Sequence, residues 1–577
     1  MININNEVYT NKSLLGSYWK LAESDERLIL SFSQKNNVSP LLAKLLLIRN
    51  IDDESVKNYL YPDINHFLPN PFLLKDMEKS VNRVISAIIK KEKIGIIADY
   101  DVDGSTSASI LFKFLKHFSN KIIIKTPDRL SEGYGPNIRI MDEFKKLKVD
   151  LVFTLDCGTT SFDIIDNKNY DKIDLIVIDH HLSEINLPKV FAIINPNRID
   201  ETNEFKEFAA VGVTFLFLMA VRKKLRINNF FDTSNKEPNL MSLLDLVALG
   251  TVCDVVNLIS YNRTFVKKGL ELIKERKNIS ITQIIDNSNI QSTPISSDLG
   301  FIIGPQLNAA SRINDSSLPL RFLISDNIAE IESISRKLIL FNEKRKLIEA
   351  NIYENALIQA RKQENQNFIL VYNKDWHNGV LGIIASRLVA QFNKPTFVIS
   401  FNNSVGVASA RSIHSIDIGN IILEAKNKDI LLAGGGHKMA AGLKININNI
   451  DKFMMFLKEK FKEFPKEIFY KIEIFDSELS VNQINDNLLN IFDLMEPFGA
   501  GNPEPKFIIK DISIASVKTI KDKHLLIFFQ NDFSINFNAI CFNCIGTILG
   551  DYLLKFKIHK FTIGCTIKRN NFNNKSV

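Results

Sequence analysis

Three aspartates at the end of one apolar run, Asp99, Asp101 and Asp103, carry the clearest chemical signal in this sequence. Carboxylates this close together repel one another, and the repulsion costs free energy unless a cation lies between them. Residues 98–104 contain no lysine or arginine, so a bound metal ion is the best candidate for that cation. The alternative interpretation is an acidic turn in which one aspartate caps a helix.

Polar residues recur where later apolar segments end. A single aspartate or histidine after a strand is more often a turn former or a structural residue, but a repeated pattern is harder to explain in that way. If these segments are parallel strands of one sheet, their carboxyl ends meet in one crevice. The residues concerned are Arg129 and Tyr134 after the second segment, Asp156 after the third, His180 and His181 after the fourth, and Asp254 at the end of an apolar helix.

Alternating strand and helix patterns predict an α/β fold with a doubly wound parallel sheet. An amphipathic helix opened by Gly104-Ser105 is expected over 107–118, and a buried helix over 208–221 is too short to span a bilayer. The predicted strands are 94–98, 121–125, 150–155, 175–178 and 191–194.

Carboxylates with one or two imidazoles suit Mn²⁺ or Mg²⁺. The absence of thiolate pairs in this set argues against a structural zinc site. A carboxylate at the third strand, Asp156, could bridge two ions about 3.5–4 Å apart. Such a pair generates hydroxide at neutral pH and binds both the attacking and the leaving oxygen of a phosphoryl displacement. Arg129 would neutralise a phosphate oxygen, or else form a salt bridge with a nearby aspartate.

The motifs Asp-Tyr-Asp-Val-Asp-Gly, Asp-Cys-Gly, Asp-His-His and Gly-Thr-Val-Cys-Asp-Val-Val resemble those of the DHH phosphoesterase superfamily. The Arg-x-x-Glu-Gly-Tyr-Gly segment narrows the resemblance to its single-stranded-DNA exonucleases. The resemblance implies a role for each residue of the motifs. Asp101 and Asp156 would hold one ion; Asp103, Asp156, His180 and Asp254 would hold the other; Asp99 matches the first carboxylate of its motif; and His181 would face the scissile phosphate or its water.

Residues 300–312 resemble a further family motif, with Gln306 in place of the usual arginine and Ser311 in place of glycine. A positive charge is therefore missing at position 306, and Arg312 is the better candidate for binding a terminal phosphate. A glycine-free and proline-free stretch, 328–362, predicts one long helix that links two lobes and leaves a groove between them.

The second lobe, about 367–460, resembles the DHH-associated domain, with Ala408 and Ala410 where the family usually has glycine. By this resemblance Ser409 and Arg411 would hold a 5′ phosphate together with Arg312. Residues 434–442 predict a glycine-rich turn before a helix, which would present N–H groups to an anion. The remaining candidates for binding substrate are Tyr134, His377 and His437.

Strand-like segments after residue 466 follow a stretch, 496–505, that matches the family closely, and the family carries an OB-like barrel there. Such barrels bind single strands through basic rims and stacking aromatic residues. The aromatic candidates are either core residues or stacking platforms, and one more strand is expected near the end of the chain. These candidates are Phe528, Phe529, Phe537 and Phe542.

The predicted domains are a helical lead-in, a DHH catalytic domain, a connecting helix, a DHH-associated domain and an OB-like domain. Five cysteines are too few for a disulfide framework, no signal peptide is apparent, and Cys541 and Cys544 lack a second pair that would suggest zinc. These features predict a cytoplasmic protein without membrane segments, and the net charge of +7 is weak evidence for a polyanionic partner. The domain boundaries are 1–70, 71–325, 326–365, 366–462 and 463–577.

The sequence therefore predicts a 5′→3′ exonuclease that degrades single-stranded DNA to mononucleotides in recombination and repair, using two Mn²⁺ or Mg²⁺ ions. A single-stranded-DNA-binding protein and a helicase are candidate partners, and a monomer is expected. One alternative is a phosphodiesterase of the same superfamily that acts on short oligonucleotides or cyclic dinucleotides. The other is a non-catalytic replication scaffold, against which the complete set of motif carboxylates argues.

Overall fold

The structure is a computed structural model, and it describes residues 12–119, 121–233, 235–288, 290, 292–531, 536–555 and 560–569. The chain forms two compact units. One consists of Pro62–Phe461 and Pro497–Asn502, and the other of the described parts of Met1–Tyr61, Lys462–Glu496 and Pro503–Val577. No helix in the described ranges combines the length and apolar character needed to cross a bilayer.

The first described elements belong to the smaller unit. The helices predicted near the start of the chain are present, and Asp25 and Ser39 cap them by accepting hydrogen bonds from backbone N–H groups. A short strand ahead of them, which the sequence pattern did not reveal, pairs in parallel with a strand near residue 472. These elements are β1 (Tyr18–Leu21), α1 (Glu26–Asn36), α2 (Pro40–Ile48) and α3 (Val56–Leu60).

The larger unit begins with the predicted doubly wound sheet. Its five strands are all parallel, in the order β3-β2-β4-β5-β6. β2 and β4 are buried at every position, which explains why Thr154 is their only polar residue. The elements are α4 (Met77–Lys90), β2 (Ile94–Ala98), α5 (Val102–Lys116), β3 (Ile122–Lys125), α6 (Ile138–Lys146), β4 (Leu151–Leu155), α7 (Phe162–Ile165), β5 (Asp174–Ile178), β6 (Ala192–Ile194) and α8 (Ala210–Ile227).

The strand order makes β2 and β4 the point at which the chain turns from one side of the sheet to the other. Open parallel sheets bind ligands at the carboxyl ends of the strands that flank such a point. Here those ends lead directly into Asp99 and Asp156. The topology therefore places the aspartate motifs where the fold class forms its sites.

Helix α5 differs from the prediction in two respects. It begins at Val102 rather than near Ser107, with Asp101 as its N-cap, and its first ten residues are all buried rather than amphipathic. The burial arises because α8 and two later helices, Leu244–Cys253 and Leu318–Ile324, pack around α5. The alternative interpretation, in which one aspartate caps a helix, therefore holds for Asp101.

Further helices complete this lobe and lead to the long connecting helix. The buried helix predicted over 208–221 is present as α8, which begins at Ala210 and extends to Ile227. A π-helical segment, Leu299–Ile303, is inserted between two short α-helical pieces, and the predicted long helix is confirmed as α15. The elements are α9 (Leu244–Cys253), α10 (Ser260–Lys274), α11 (Ile279–Asn287), α12 (Ser296–Asp298), α13 (Gly304–Ile313), α14 (Leu318–Ile324) and α15 (Ile328–Arg361).

The second lobe of this unit is a mixed sheet in the order β10-β11-β9-β8-β7 with helices packed against it. The prediction of a glycine-rich turn before a helix at 434–442 is wrong, because these residues form the antiparallel hairpin of β10 and β11. The helix precedes the hairpin as α17. The elements are β7 (Ile369–Lys374), α16 (Leu381–Phe392), β8 (Thr396–Asn402), β9 (Val405–Arg411), α17 (Ile418–Asn427), β10 (Ala433–His437), β11 (Ala440–Asn446) and α18 (Ile450–Lys462).

The C-terminal elements form a largely antiparallel sheet around β14, which pairs with β13, β15 and β17. Phe529 is a core residue, whereas Phe542 is 70% exposed. The additional strand expected near the end of the chain lies outside the described residues. The elements are β12 (Ile472–Phe475), β13 (Ser477–Glu478), α19 (Asp486–Met495), β14 (Lys506–Ile520), β15 (His524–Asn531), β16 (Asn536–Cys541), α20 (Ile548–Lys555) and β17 (Phe561–Thr566).

The contact between α5 and the end of β2 requires a glycine. A Cβ atom on Gly104 would lie 2.6 Å from the Asp99 carbonyl oxygen, so we expect Gly104→Ala to displace α5 and lower the free energy of unfolding by about 1–3 kcal/mol. Denaturant unfolding would measure this. In the control Gly300→Ala, the nearest atom to the new Cβ is 3.5 Å away, and equal stability of the two variants would contradict the account.

Candidate active site

Three strands of the parallel sheet each deliver an aspartate at the same level. The backbone N–H groups of Asp99, Asp156 and Asp179 donate to the last residues of the neighbouring strands, Leu155, Ile178 and Ile194, at 3.0–3.1 Å. The sheet register therefore continues one residue past each strand, and the three side chains form a row along its carboxyl edge. All three residues are buried, with at most 3% of their surface exposed.

Asp101 and Asp103 are held by helix N-termini. Asp101 Oδ1 accepts a hydrogen bond from the Gly104 N–H at 3.0 Å. Asp103 lies within α5, and its two oxygens accept from the N–H groups of Ala210 and Val211 at 2.6 and 2.8 Å, at the start of α8. Backbone N–H groups and the positive end of the helix dipole thus fix the orientation of both carboxylates.

Asp156 lies at the centre of the cluster and has a left-handed backbone with φ of 61°. Aspartate tolerates this conformation better than most residues, and such outliers concentrate at functional sites. The Asp156 carbonyl oxygen accepts a hydrogen bond from Tyr134 Oη at 2.7 Å. Its carboxylate is left facing the histidines, with Oδ1 at 3.3 Å from His180 Nε2 and 3.8 Å from His181 Nδ1.

His180 joins the aspartates that come from distant parts of the chain. Its Nε2 atom lies 3.5 Å from Asp254 Oδ2 and 3.9 Å from Asp103 Oδ2. Asp254 is the residue that follows α9, and it remains partly exposed, with 22% of its side chain accessible. The motif residues predicted to meet in one crevice therefore do so.

Asp179 orients the second histidine. Its Oδ1 accepts from the N–H groups of His180 and His181 and lies 2.8 Å from His181 Nδ1, while its Oδ2 accepts from the Thr159 N–H. With Nδ1 occupied in this way, Nε2 is the atom that His181 has available for a ligand. Tyr134 Oη lies 3.0 Å from the same Nδ1, so Tyr134 contacts the histidine and the backbone of Asp156.

Among the residues that the structure describes, three sets of side chains have ligand atoms within 4.8 Å of one another, which is close enough to share a cation. Three of their buried atoms, Asp99 Oδ1, Asp156 Oδ1 and His180 Nε2, have no hydrogen-bond partner in this part of the chain. Buried polar atoms normally have one, so these residues fit Mn²⁺ or Mg²⁺, for which carboxylates and imidazole are suitable ligands. The sets are Asp99, Asp101 and Asp156; Asp103, His180 and Asp254; and Asp156, His180 and His181.

Without a cation the cluster is electrostatically unfavourable. Burial, together with repulsion from Asp101, raises the pKa of Asp99, Asp103 and Asp156, to about 7 in the case of Asp103. Burial and the charge of Asp103 raise the pKa of Asp254 to about 9. Protons or metal ions must therefore neutralise these carboxylates.

The two histidines have opposite pKa shifts. Burial and the neighbouring His181 lower the pKa of His180 to about 4, so its imidazole is neutral at pH 7 and suited to bind a metal ion. Burial also acts to lower the pKa of His181, but the hydrogen bond and charge of Asp179 outweigh it and raise that pKa to about 9. His181 is thus a cationic hydrogen-bond donor at neutral pH.

A cluster of arginines lies beside the carboxylates. Burial first, and then the charges of Arg129, Arg345 and Arg411, lower the pKa of Arg312 to about 9. Burial and Arg129 likewise lower the pKa of Arg411. Mutual repulsion of buried guanidinium groups creates a site for an anion, as repulsion among carboxylates creates one for a cation.

The arginine cluster meets the start of α16 in the second lobe. Arg312 Nη1 donates to the Gly379 carbonyl oxygen at 2.9 Å, and a Cβ atom on Gly382 would lie 2.9 Å from Arg411 Nη2 and 3.7 Å from Ser409 Oγ. His377 Nδ1 accepts the Gly379 N–H at 3.1 Å. The structure therefore brings the predicted phosphate-binding side chains to a helix N-terminus, which itself favours anions.

The remaining residues named from the sequence are Arg129, Gln306, Ser311 and His437. Arg129 lies over the Tyr100 ring, with its guanidinium carbon 4.7 Å from the ring centroid, and within the described ranges it makes no salt bridge to an aspartate. Gln306 is buried and donates to Ser288 Oγ at 2.7 Å, so it faces the interior of its lobe. Ser311 donates to the Asn308 carbonyl oxygen, and His437 is exposed on β10.

Sequence reasoning missed two residues of this region. Asp179 was not selected as a site residue, although its place at a strand end beside two histidines is typical of a residue that orients a functional histidine. Arg345, on α15, joins the arginine cluster and pairs with Glu349. The sequence carried no signal for Arg345, because only tertiary packing separates it from other charged residues of a long helix.

The raised carboxyl pKa values predict how stability depends on pH. Between the ordinary value of 3.8 and about 9, the folded metal-free protein keeps a proton on Asp254 that the unfolded chain loses. The free energy of unfolding must therefore fall as pH rises through this window. In EDTA we expect the melting temperature to decrease from pH 6 to pH 9, and Mn²⁺ to restore it. Asp254→Asn should weaken this pH dependence, and a pH-independent melting temperature of the unsubstituted protein would contradict the assignment.

Family models match three parts of the chain. They are the DHH family N-terminal domain at residues 93–251, the DHHA1 domain at 365–463 and the RecJ OB domain at 475–577. These matches confirm the predicted α/β catalytic domain, DHH-associated domain and OB-like domain, while the domain boundaries stay predictions.

Curated relatives and solved structures agree with these matches. The chain is 34% identical to the single-stranded-DNA-specific exonuclease RecJ of Haemophilus influenzae, over 82% of this chain and 84% of the relative. It is also 34% identical to the single-stranded-DNA-specific exonuclease RecJ of Escherichia coli, over 75% of this chain and 78% of the relative. The crystal structure of RecJ with Mn²⁺ from Thermus thermophilus shares the fold, with a TM-score of 0.79 and 23% identity over 97% of this chain and 78% of that one. A structure of exonuclease RecJ bound to manganese matches with a TM-score of 0.59 and 28% identity, and the match covers 70% of this chain and 97% of that one. From its three domains and its identity to these relatives, the chain belongs to the RecJ family.

Proposed function

We propose that this chain is a metal-dependent exonuclease that degrades single-stranded DNA from its 5′ end and releases mononucleotides. The observation that carries the proposal is the pair of adjoining charge clusters, one of carboxylates and one of guanidinium groups. The first suits two divalent cations and the second suits a phosphate. The relatives of this chain in the RecJ family are named for activity on single-stranded DNA.

The proposed ligand assignment divides the side chains into two sets that share Asp156. Asp99, Asp101 and Asp156 would hold one ion, and Asp103, Asp156, His180 and Asp254 the other. When bound, two Mn²⁺ or Mg²⁺ ions activate water and neutralise the charge that develops on the phosphate. Asp179 keeps His181 oriented, and the cationic His181 donates a hydrogen bond to a phosphate oxygen.

The arginine cluster is the proposed site for the 5′ end of the strand. Arg312, Ser409 and Arg411 would bind the 5′ phosphate at the start of α16, with Arg129 beside the scissile phosphate and Tyr134, His377 and His437 nearby. Fixing the terminal phosphate at a set distance from the cations limits cleavage to the first nucleotide. A groove between the two lobes would admit one strand and exclude a duplex.

The cellular setting is proposed from the family resemblance. We propose a monomer in the cytoplasm that acts in recombination and repair with a single-stranded-DNA-binding protein and a helicase. The OB domain is the proposed track for the strand, and Phe542, whose ring is largely exposed, is its best candidate for stacking on a base.

End-labelled substrates test the proposed activity. With Mn²⁺ and a 5′-phosphorylated single strand, we expect a 5′ label to appear in mononucleotides at once and a 3′ label to remain on progressively shorter strands. The same sequence as a blunt duplex is the control and should persist. Preferential cleavage of dinucleotides over long strands would favour the small-substrate phosphodiesterase instead.

Asp156→Asn tests the bridging carboxylate. Asparagine tolerates the φ of 61° and keeps the shape of the side chain, so loss of charge is the main change. We expect nuclease activity to fall at least about 1,000-fold, while the melting temperature in EDTA stays the same or rises because repulsion is relieved. The control is Asp286→Asn at an exposed surface pair. Retained activity in Asp156→Asn would refute the bridging role.

Arg411→Ala tests the binding of the terminal phosphate. Loss of a guanidinium–phosphate contact should lower kcat/KM on 5′-phosphorylated strands about 10–100-fold and leave 5′-hydroxyl strands nearly unaffected. Arg336→Ala removes an arginine that is 75% exposed on α15 and serves as the control. An equal loss on both kinds of strand would show that Arg411 does not read the 5′ phosphate.

A further inference from the structure

Residues 497–502 form a closed turn that belongs to the larger unit, although the chain on both sides of it belongs to the smaller unit. Gly499 N–H donates to the Asn502 carbonyl oxygen at 2.9 Å, and Asn502 N–H donates back to Gly499 at 3.2 Å. Asn502 Nδ2 donates to the Pro497 carbonyl oxygen at 2.8 Å, and Asn502 is 1% exposed. We call residues 497–502 the inserted turn. The proposed chemistry gives it no role.

The inserted turn packs on the loop that follows Asp254. The Leu258 N–H donates to the Ala500 carbonyl oxygen at 2.7 Å. A Cβ atom on Gly499 would lie 2.7 Å from Leu258 Cδ1. Gly501 has a φ of +69°, and a Cβ atom there would lie 2.8 Å from the Cβ of Asn257. Both glycines are therefore required by this close approach.

Two side chains of the catalytic lobe anchor the turn. Ser296 Oγ, at the start of α12, donates to the Phe498 carbonyl oxygen at 2.6 Å. Arg263 Nη1 donates to the Pro497 carbonyl oxygen at 3.3 Å, and Arg263 is 1% exposed, which is rare for arginine. Several polar contacts thus fix the turn against α10 and α12.

The loop that the turn contacts has a strained backbone. Val255, which directly follows Asp254, has φ of 61° and is 70% exposed. A β-branched residue in this conformation costs about 1–3 kcal/mol and persists only where its surroundings impose it. Helix α9 fixes the loop before Val255. The inserted turn fixes it afterwards, through Leu258.

The same loop also reaches the segment that orients Asp103. Asn257 Nδ2 donates to Glu207 Oε2 at 2.7 Å, and Asn262 Nδ2 donates to the carbonyl oxygens of Glu207 and Asn257 at 2.5 and 3.0 Å. Glu207 lies three residues before Ala210, whose N–H binds Asp103. Asp103 and Asp254 belong to the same set of possible metal ligands, so one hydrogen-bonded network supports both.

We propose that the inserted turn is a positioning element for the metal site: by holding residues 255–258 it sets the orientation of Asp254. This inference rests on the proposed function, because it assumes that Asp254 binds a cation. It assigns a role to a segment next to the OB domain in sequence, so that a substitution far from the reacting atoms alters the affinity for metal. Residues that orient metal ligands typically change metal affinity about 10–100-fold when substituted.

Two glycine substitutions provide a matched test. Gly501→Ala adds a Cβ at a φ of +69° and presses on Asn257, whereas Gly546→Ala adds a Cβ at a φ of +76° with no non-adjacent atom of the described residues within 4 Å. Both introduce the same kind of backbone strain, so only contact with the loop distinguishes them. Mn²⁺ binding to the metal-free full-length variants is measured by the loss of the free-ion electron paramagnetic resonance signal, and their melting temperatures in EDTA are recorded.

We expect Gly501→Ala to weaken binding of one Mn²⁺ ion about tenfold and to raise the Mn²⁺ concentration needed for half-maximal hydrolysis, with KM for DNA unchanged. Gly546→Ala should bind Mn²⁺ as the unsubstituted protein does. Ser296→Ala, which removes one anchor without backbone strain, should weaken binding about threefold and keeps the test valid if Gly501→Ala fails to fold.

Unchanged Mn²⁺ binding in both Gly501→Ala and Ser296→Ala would overturn the inference, as would an equal loss of binding in Gly546→Ala. The proposed function fails separately, if the unsubstituted protein binds Mn²⁺ but does not shorten single strands. In that case the comparison of Mn²⁺ affinities still decides whether the turn positions Asp254.

Discussion

Repulsion among buried carboxylates is the constraint on which the rest of this structure depends. Asp99, Asp103 and Asp156 are almost inaccessible to solvent, and their raised pKa values express the cost of charging them together. A protein keeps such a cluster only where a ligand or proton neutralises it. The neighbouring guanidinium groups also repel one another, so one cluster favours cations and the other favours an anion.

The parallel sheet supplies the geometry that this constraint requires. Its register carries Asp99, Asp156 and Asp179 one residue past their strands at one level, and helix N-termini fix Asp101 and Asp103. Asp254 differs, because it stands after a helix and before a strained residue. That difference explains why its loop has contacts from several segments, including the inserted turn, whereas the hydrogen bonds of the sheet itself set the level of Asp99, Asp156 and Asp179.

Much of the fold and of the site was predictable from the sequence because local signals agreed with the topology. Apolar segments of about five residues that each end in aspartate predicted both the parallel sheet and the crevice at its edge. The failures have physical causes. Glycine repeats suit hairpins as well as anion-binding turns, so the pattern at residues 434–436 led to a wrong prediction. Asp179 and Arg345 were missed because they act through partners that only tertiary packing brings near. Gln306, which replaces an arginine of the family motif, bonds to Ser288 inside its own lobe.

The most direct test of the central claim is a crystal structure of the protein grown with Mn²⁺, with anomalous diffraction recorded at the manganese absorption edge. The account predicts two anomalous peaks about 3.5–4 Å apart, with Asp156 between them. One would be ligated by Asp99 or Asp101, and the other by Asp103, His180 and Asp254. Absence of anomalous density among these side chains, or a cation bound elsewhere while the carboxylates stay protonated, would contradict it.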